Sequence, residues 1–394
     1  MPGSERCDGR IVMGSPTGGP RIDKGLDDIF VKETRICSVD GTTGRLLYAG
    51  YDIRDLADHS TFEETTYLLW HGRLPSREQL TPFSAELAAH REVPAELVAL
   101  LKKLPKTMAP IDALRTAVSA LSAYDPELNA TSREANVRKG IRLVAKMPTL
   151  VAAFHRIRNG QRVVRPNPKY GAATEYLRML MGRKPDKVTS RILDAALVLH
   201  ADHSMNAGTF AATVAASTLA DLYSCVAAAI ATLKGPLHGG ANEQAVKALL
   251  EIGSPDRADE YVAKTLASGD RVSGFGHRVY KTWDPRSLIL AEYAKKLSER
   301  KGDMALYGVA KAVEEAVVRR LGDKGIYPNV DYYAGVVYQL LGLPPDLFPT
   351  TFAVARVSGW VAHVLEYWED NRIMRPLDWY VGPREAVYVP IDRR

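Results

Sequence analysis

A mainly α-helical, two-domain chain with a small β element near its N-terminus is what this sequence predicts. Apolar residues recur at helical spacing through most of the 394 residues. Capping residues stand at the start of several of these runs. Alternating strand-like runs are few and lie mostly beside glycines before Tyr51.

Taken in order, residues 1–20 are rich in Gly, Pro and Ser and read as a disordered tail. Segments 29–31, 36–39 and 46–48 lie near Gly41, Gly44 and Gly50 and read as a hairpin-like sheet. Thr61 and Glu64 form a capping box before Tyr67, Leu68 and Trp70, and Pro75 is expected to end that helix. Ser76 and Gln79 open a second helix, with Leu80, Phe83 and Leu87 on one face. Ile111, Leu114, Val118 and Leu121 mark a third, and Val188, Ile192, Ala196 and Leu199 a fourth. The Ala-rich stretch after Ala207 reads as two closely packed helices, because Ala favours helix and lets axes approach. Segment 386–389 is a candidate edge strand.

Composition is that of an ordinary globular protein, 46% hydrophobic and 25% charged. The net charge of +6 comes from 52 basic and 46 acidic residues spread along the chain. That spread argues against a nucleic-acid stripe, though it suits an anionic substrate. Cys7, Cys37 and Cys225 are far apart and odd in number, which fits a reducing, cytoplasmic setting without a disulfide or zinc framework. The longest apolar-looking region, 207–233, is broken by Asp221, so no membrane span is expected. The N-terminus lacks an apolar signal core, and Glu5 and Asp8 weigh against a transit peptide.

No G-x-x-x-x-G-K-S/T or G-x-S-x-G run occurs, which removes the phosphate-loop and serine-elbow chemistries. Gly274-Phe275-Gly276 begins like a dinucleotide fingerprint, but Val279 stands where the third glycine belongs. Three histidines sit in glycine-rich or turn-like settings: His238 in KGPLHGGAN, His277 in SGFGHRVY and His203 in HADHSMN. Glycine permits tight turns and close substrate approach. A helix start after such a loop favours a neutral imidazole able to donate to a developing oxyanion. Each histidine could equally be a satisfied loop residue. His200 and His203 suggest a metal pair, yet no third ligand follows at a sensible spacing, so no metal is expected. Asp331 follows Pro328 at a helix start among aromatic residues, either as a desolvated base or as an N-cap. Arg356 lies in an apolar helical run and needs an anion, a substrate or an internal salt bridge. Arg286 and Arg375 read locally as anion binders or as solvated surface charges.

Three long motifs, KGPLHGGANE, GFGHRVYKTWDPR and YPNVDYY, follow one another in that order. With KGLDD, ETRICSVDG and GRLLYAGYDI upstream, they make the chain resemble the citrate synthase family from about Lys24 onward. The resemblance implies that Asp331 removes a methyl proton from acetyl-CoA, His238 stabilises the enolate and His277 polarises the oxaloacetate ketone. It implies substrate-binding roles for His203, Arg286 and Arg356, and an Arg375 that reaches the partner's site in a homodimer. Arg271, Val272, Ser273, Gly274, Phe275 and Lys281 would contact CoA, a substrate rather than a resident cofactor. It further implies a large helical domain over 21–237 and 343–394, and a small domain over 238–342 that closes on the site. Ser204, Met205 and Thr213 depart from many relatives. The same motifs fit a 2-methylcitrate synthase using propionyl-CoA, or a non-catalytic binding protein that has kept the fold.

Overall fold

The computed structural model describes residue 20 and residues 22–26, 29–236 and 239–394, with the backbone alone at Ala241. Cys7, His238 and all but the last residue of the expected tail lie outside the described residues. Two compact units divide the chain: Thr34–Arg372, and a second that joins Ile373–Arg394 to the residues before Thr34.

The first unit begins with an antiparallel sheet, β1 (Cys37–Asp40), β2 (Arg45–Tyr48) and β3 (Tyr51–Asp52), with Cys37 opposite Tyr48. Helices follow: α1 (Ile53–His59), α2 (Phe62–His71), α3 (Arg77–Ala89), α4 (Ala95–Lys103), α5 (Pro110–Leu121), α6 (Arg133–Arg158), α7 (Ala172–Met181) and α8 (Lys187–His200). Then come α9 (Ala207–Ser217), α10 (Leu222–Leu233), α11 (Ala241–Ile252), α12 (Ala258–Ala267), α13 (Pro285–Lys301), α14 (Ala305–Leu321), α15 (Val330–Leu340) and α16 (Phe348–Tyr367).

Local signals explain most boundaries. Thr61 caps α2 by accepting from Glu64 N at 3.2 Å. That helix ends before Pro75, because Gly72 adopts φ 69° and returns its N–H to Leu68 O. Ser76 and Gln79 form the full capping box of α3. The Ala-rich stretch is indeed two helices, α9 and α10, packed on each other and separated at Asp221, which caps α10. α16 is buried almost throughout and packs on α2, α6, α8, α9 and α10, so it can be apolar on every face. Among the described residues no helix is long and apolar enough to cross a membrane. Farther along, α15 packs on α11, α13 and α14, and α12 on α14.

Two expected strands do not form. Segments 29–31 and 386–389 have irregular backbone, since neither finds a partner strand among the described residues. The sheet that does form supports a distant loop. Gly41 O accepts from Lys281 N at 2.9 Å, and a Cβ on Gly41 would stand 2.1 Å from Val279 O. Among its described residues the second unit carries no helix beyond a short 3-10 turn at Ile391–Arg393.

Candidate active site

One asparagine ties together the two segments that carry His277 and Asp331. Gly276 N donates to Tyr327 O and Asn329 N to Gly274 O, each at 2.9 Å, and Phe275 pairs with Pro328 across an isolated antiparallel bridge. Asn329 Nδ2 donates to Gly276 O at 2.9 Å, while Asn329 Oδ1 accepts from Asp331 N at 3.0 Å and caps α15. The cap reading of Asp331 therefore fails: Asn329 is the cap, and Asp331 is the second residue of the helix. Gly274 must be glycine here, with φ 84° and an added Cβ only 2.8 Å from the Tyr332 ring.

The Asp331 carboxyl is half-buried. Burial pushes it up to about 6, against the opposing pull of the nearby Arg286 and Arg356 charges. Tyr332 and Tyr333 anchor the same helix turn to α14 through Ala310 O and Glu314.

His277 has a defined tautomer. Its Nδ1 accepts from Val279 N at 3.0 Å and Tyr280 N at 3.1 Å, so the proton resides on Nε2. Burial, helped by the Arg286 charge, lowers the ring to about 4. The result is a neutral Nε2–H donor near neutral pH. His203 is buried with its Nε2 3.2 Å from Tyr280 OH, and burial with the Arg286 charge holds it well below the usual range. The ring centroids of His203, His277 and Tyr280 stand 4.8–5.5 Å apart.

The two buried arginines differ. Arg286 is 2% exposed, which overturns its reading as a surface charge. Its Nε and Nη2 grip Asp284 Oδ1 and Oδ2 at 3.0 and 2.8 Å. Asp284 also caps α13 and accepts from Val330 N at 3.1 Å, so one carboxylate joins two helix starts. Arg356 is 1% exposed, yet it makes no ion pair among the described residues. Its Nε donates to His200 O at 2.6 Å, and its guanidinium lies 4.5 Å from the Phe352 ring centroid. The internal salt bridge considered for it does not form. The Asp202 charge reaches it only from beyond ion-pair distance, and a buried guanidinium without a directly paired carboxylate is costly unless an anion arrives.

The remaining candidates fall elsewhere. Arg271 and Lys281 are exposed, Val272 and Gly274 buried, and Ser273 and Phe275 half-buried. Arg375 is exposed in the second unit. His200 is a core residue whose Nδ1–H donates to Ala196 O, and burial lowers it to about 3. No group of three His, Cys, Asp or Glu that could hold a metal occurs among the described residues. Ser204 has φ 51°, and Thr213 bonds Thr209 O within α9. The sequence reading assigned no role to Asn329, Asp284 and Tyr280, although each lies inside a quoted motif. A half-buried carboxylate base, a neutral imidazole donor and two buried cations suit proton abstraction from a substrate held beside an anionic partner.

The family model described as "Citrate synthase, C-terminal domain" matches residues 25–377. A citrate synthase of Haloferax volcanii is 45% identical over 378 residues, which cover 95% of this chain and 99% of that protein. A 2-methylcitrate synthase of Corynebacterium glutamicum is 38% identical over 379 residues, 95% of this chain and 99% of its own. A ternary complex of carboxymethyl coenzyme A and oxaloacetate with citrate synthase from Thermoplasma acidophilum superposes with a TM-score of 0.90. That protein is 36% identical, with 94% of this chain and 99% of the other covered.

Proposed function

The chain belongs to the citrate synthase family, and on that premise we propose how its cleft condenses acetyl-CoA with oxaloacetate and hydrolyses citryl-CoA to citrate and CoA. The observation that carries the reading is the Asn329-tied pairing of Asp331 with His277 beside an Arg356 that lacks a carboxylate. Asp331 abstracts the methyl proton. His238, outside the described residues, donates to the thioester oxygen as the enolate forms. The Nε2–H of His277 donates to the ketone oxygen as its negative charge develops. A positioned acid–base group contributes about 10²–10⁴-fold, and an oxyanion donor a few kcal/mol more.

Arg286 and Arg356, with His203, hold the dicarboxylate, and their planar donors suit it. Asp284 keeps the Arg286 fork oriented. Arg271, Val272, Ser273, Gly274, Phe275 and Lys281 line the CoA path, and no resident metal or cofactor takes part. Arg375 reaches the site of the second subunit in a cytoplasmic homodimer. Residues 238–342 act as a small domain that closes on the larger one once oxaloacetate is bound, which excludes water from the enolate.

The relative in Corynebacterium favours a second reading, 2-methylcitrate synthesis from propionyl-CoA. One extra methylene is worth only about 1–3 kcal/mol of discrimination. Pure protein should release CoA from acetyl-CoA only when oxaloacetate is present. Absence of that release sinks the acetyl reading. A higher kcat/KM for propionyl-CoA moves the assignment to the second, and inactivity with both leaves a binding protein that has kept the fold.

A further inference from the structure

The end of α8 is latched to α16 by three consecutive residues. Arg356 Nε donates to His200 O, Gly359 N donates to Ala201 O at 3.1 Å, and His363 Nε2 hydrogen-bonds Asp202 Oδ2 at 3.3 Å. Gly359 permits the approach: a Cβ there would stand 2.4 Å from both Ala201 O and Asp202 Oδ1. From the other side Tyr48 OH accepts from Asp202 N at 3.1 Å and donates to Asp202 O at 2.8 Å. Asp202 Oδ2 then accepts from Ser204 N at 2.9 Å, across the left-handed turn at Ser204. His203 sits inside that turn, so Asp202 sets its direction.

We propose that Asp202 and His363 are a buried positioning pair that presents His203 and Arg356 to the 2-oxo acid. The proposal rests on the assignment of those two residues to the oxaloacetate pocket. Both members of the pair are 0% exposed, and a buried carboxylate is kept only where partners repay its desolvation. The Asp202 carboxylate has two hydrogen-bond partners on Oδ2, the His363 ring and the Ser204 N–H, and it feels the Arg356 charge from beyond ion-pair distance, while the Tyr48 hydroxyl holds its backbone. His363 and Arg356 stand two turns apart on one helix, so a single element places a charge on the substrate side and a clamp behind it. The loop bearing His203 is thereby fixed to the helix bearing Arg356, and the two move as one body.

Steady-state kinetics on the full chain, varying each substrate separately, test the pair. In His363→Leu the KM for oxaloacetate rises and kcat/KM for oxaloacetate falls on the order of 10²-fold, because the pocket is misplaced rather than dismantled. The KM for acetyl-CoA stays within about twofold. His363→Gln retains an N–H donor toward Asp202 and recovers most of the loss. Wild-type kcat/KM for oxaloacetate in His363→Leu overturns the proposal, as does an equal rise in both KM values. Should His363→Leu fail to fold, Asp202→Asn reads the same split, with His363→Gln as the near-wild-type control. An unchanged KM for oxaloacetate in Asp202→Asn overturns the pair. Wild-type protein that does not consume oxaloacetate removes the functional reading itself, whereas active wild type with an indifferent variant removes only the pairing.

Discussion

Asp331 stands at the second position of α15, where its carboxyl is pushed up to about 6. A base works deprotonated, so kcat/KM for the acyl-CoA should climb through an inflection near that value and level off above it. His277, lowered to about 4, stays neutral across the climb and adds no second limb. A profile measured from roughly pH 5 to pH 8 checks this, and a flat one denies the assignment. The stability consequence has a definite sign. The folded pKa lies above the unfolded value, so ionisation opposes folding, and the penalty appears as pH rises toward and past about 6. Asp331→Asn should therefore raise the thermal midpoint at alkaline pH, with a smaller gain in acid, while kcat falls about 10²–10⁴-fold. At this scale the sequence disclosed identities better than environments. A glycine-flanked His277 suggested neutrality, but nothing local told that Arg286 is buried, because its partner Asp284 becomes informative only once α13 and α15 meet.

At the scale of elements, caps and periodicity were legible wherever a helix is specified by its own residues. Ser76 with Gln79 is one case, and the apolar face of α5 is another. What failed was structure imposed from outside. Segments 29–31 and 386–389 alternate like strands, yet a strand needs a neighbour. α6 carries Gly140 and Pro148, both helix-breaking signals, yet runs over 26 residues. Packing overrides them: a Cβ on Gly140 would meet Val361 Cγ1 at 2.7 Å, so the glycine lets α6 and α16 touch. Two substitutions test the joints between elements. Asn329→Ala removes the α15 cap and the bond to Gly276 O, and should cost about 1 kcal/mol in urea unfolding. It should also lower kcat, since the His277 loop loosens from the Asp331 helix. Gly359→Ala drives a Cβ into Ala201 O and Asp202 Oδ1, and should destabilise by about 1–3 kcal/mol in the same assay. A neutral result in either case would mean the joint is not under strain.

For the whole molecule, the expectation of a mainly helical chain with an N-terminal sheet held, because helical periodicity recurs along its length. The order of three motifs carried the family but not the way the site is assembled, since α8, α13, α15 and α16 meet only in three dimensions. Their meeting leaves a charge problem that a substrate can resolve. Arg356 is buried against a carbonyl and a ring, and among the described residues no carboxylate pairs with it directly, the Asp202 charge acting on it only from beyond ion-pair distance. An arriving dicarboxylate supplies the missing anion, so binding should stabilise the fold by mass action. At a concentration of 100 Kd the gain is about 2.7 kcal/mol. For a chain of this length that raises the unfolding midpoint by roughly 3 °C. Arg356→Met removes the unpaired charge but keeps the volume. Its unliganded midpoint should move little, because the lost carbonyl bond is offset by relief of a buried cation. Oxaloacetate should then no longer raise it. A thermal scan of both proteins with and without oxaloacetate decides the matter: an undiminished shift in Arg356→Met would place the dicarboxylate somewhere other than beside Arg356.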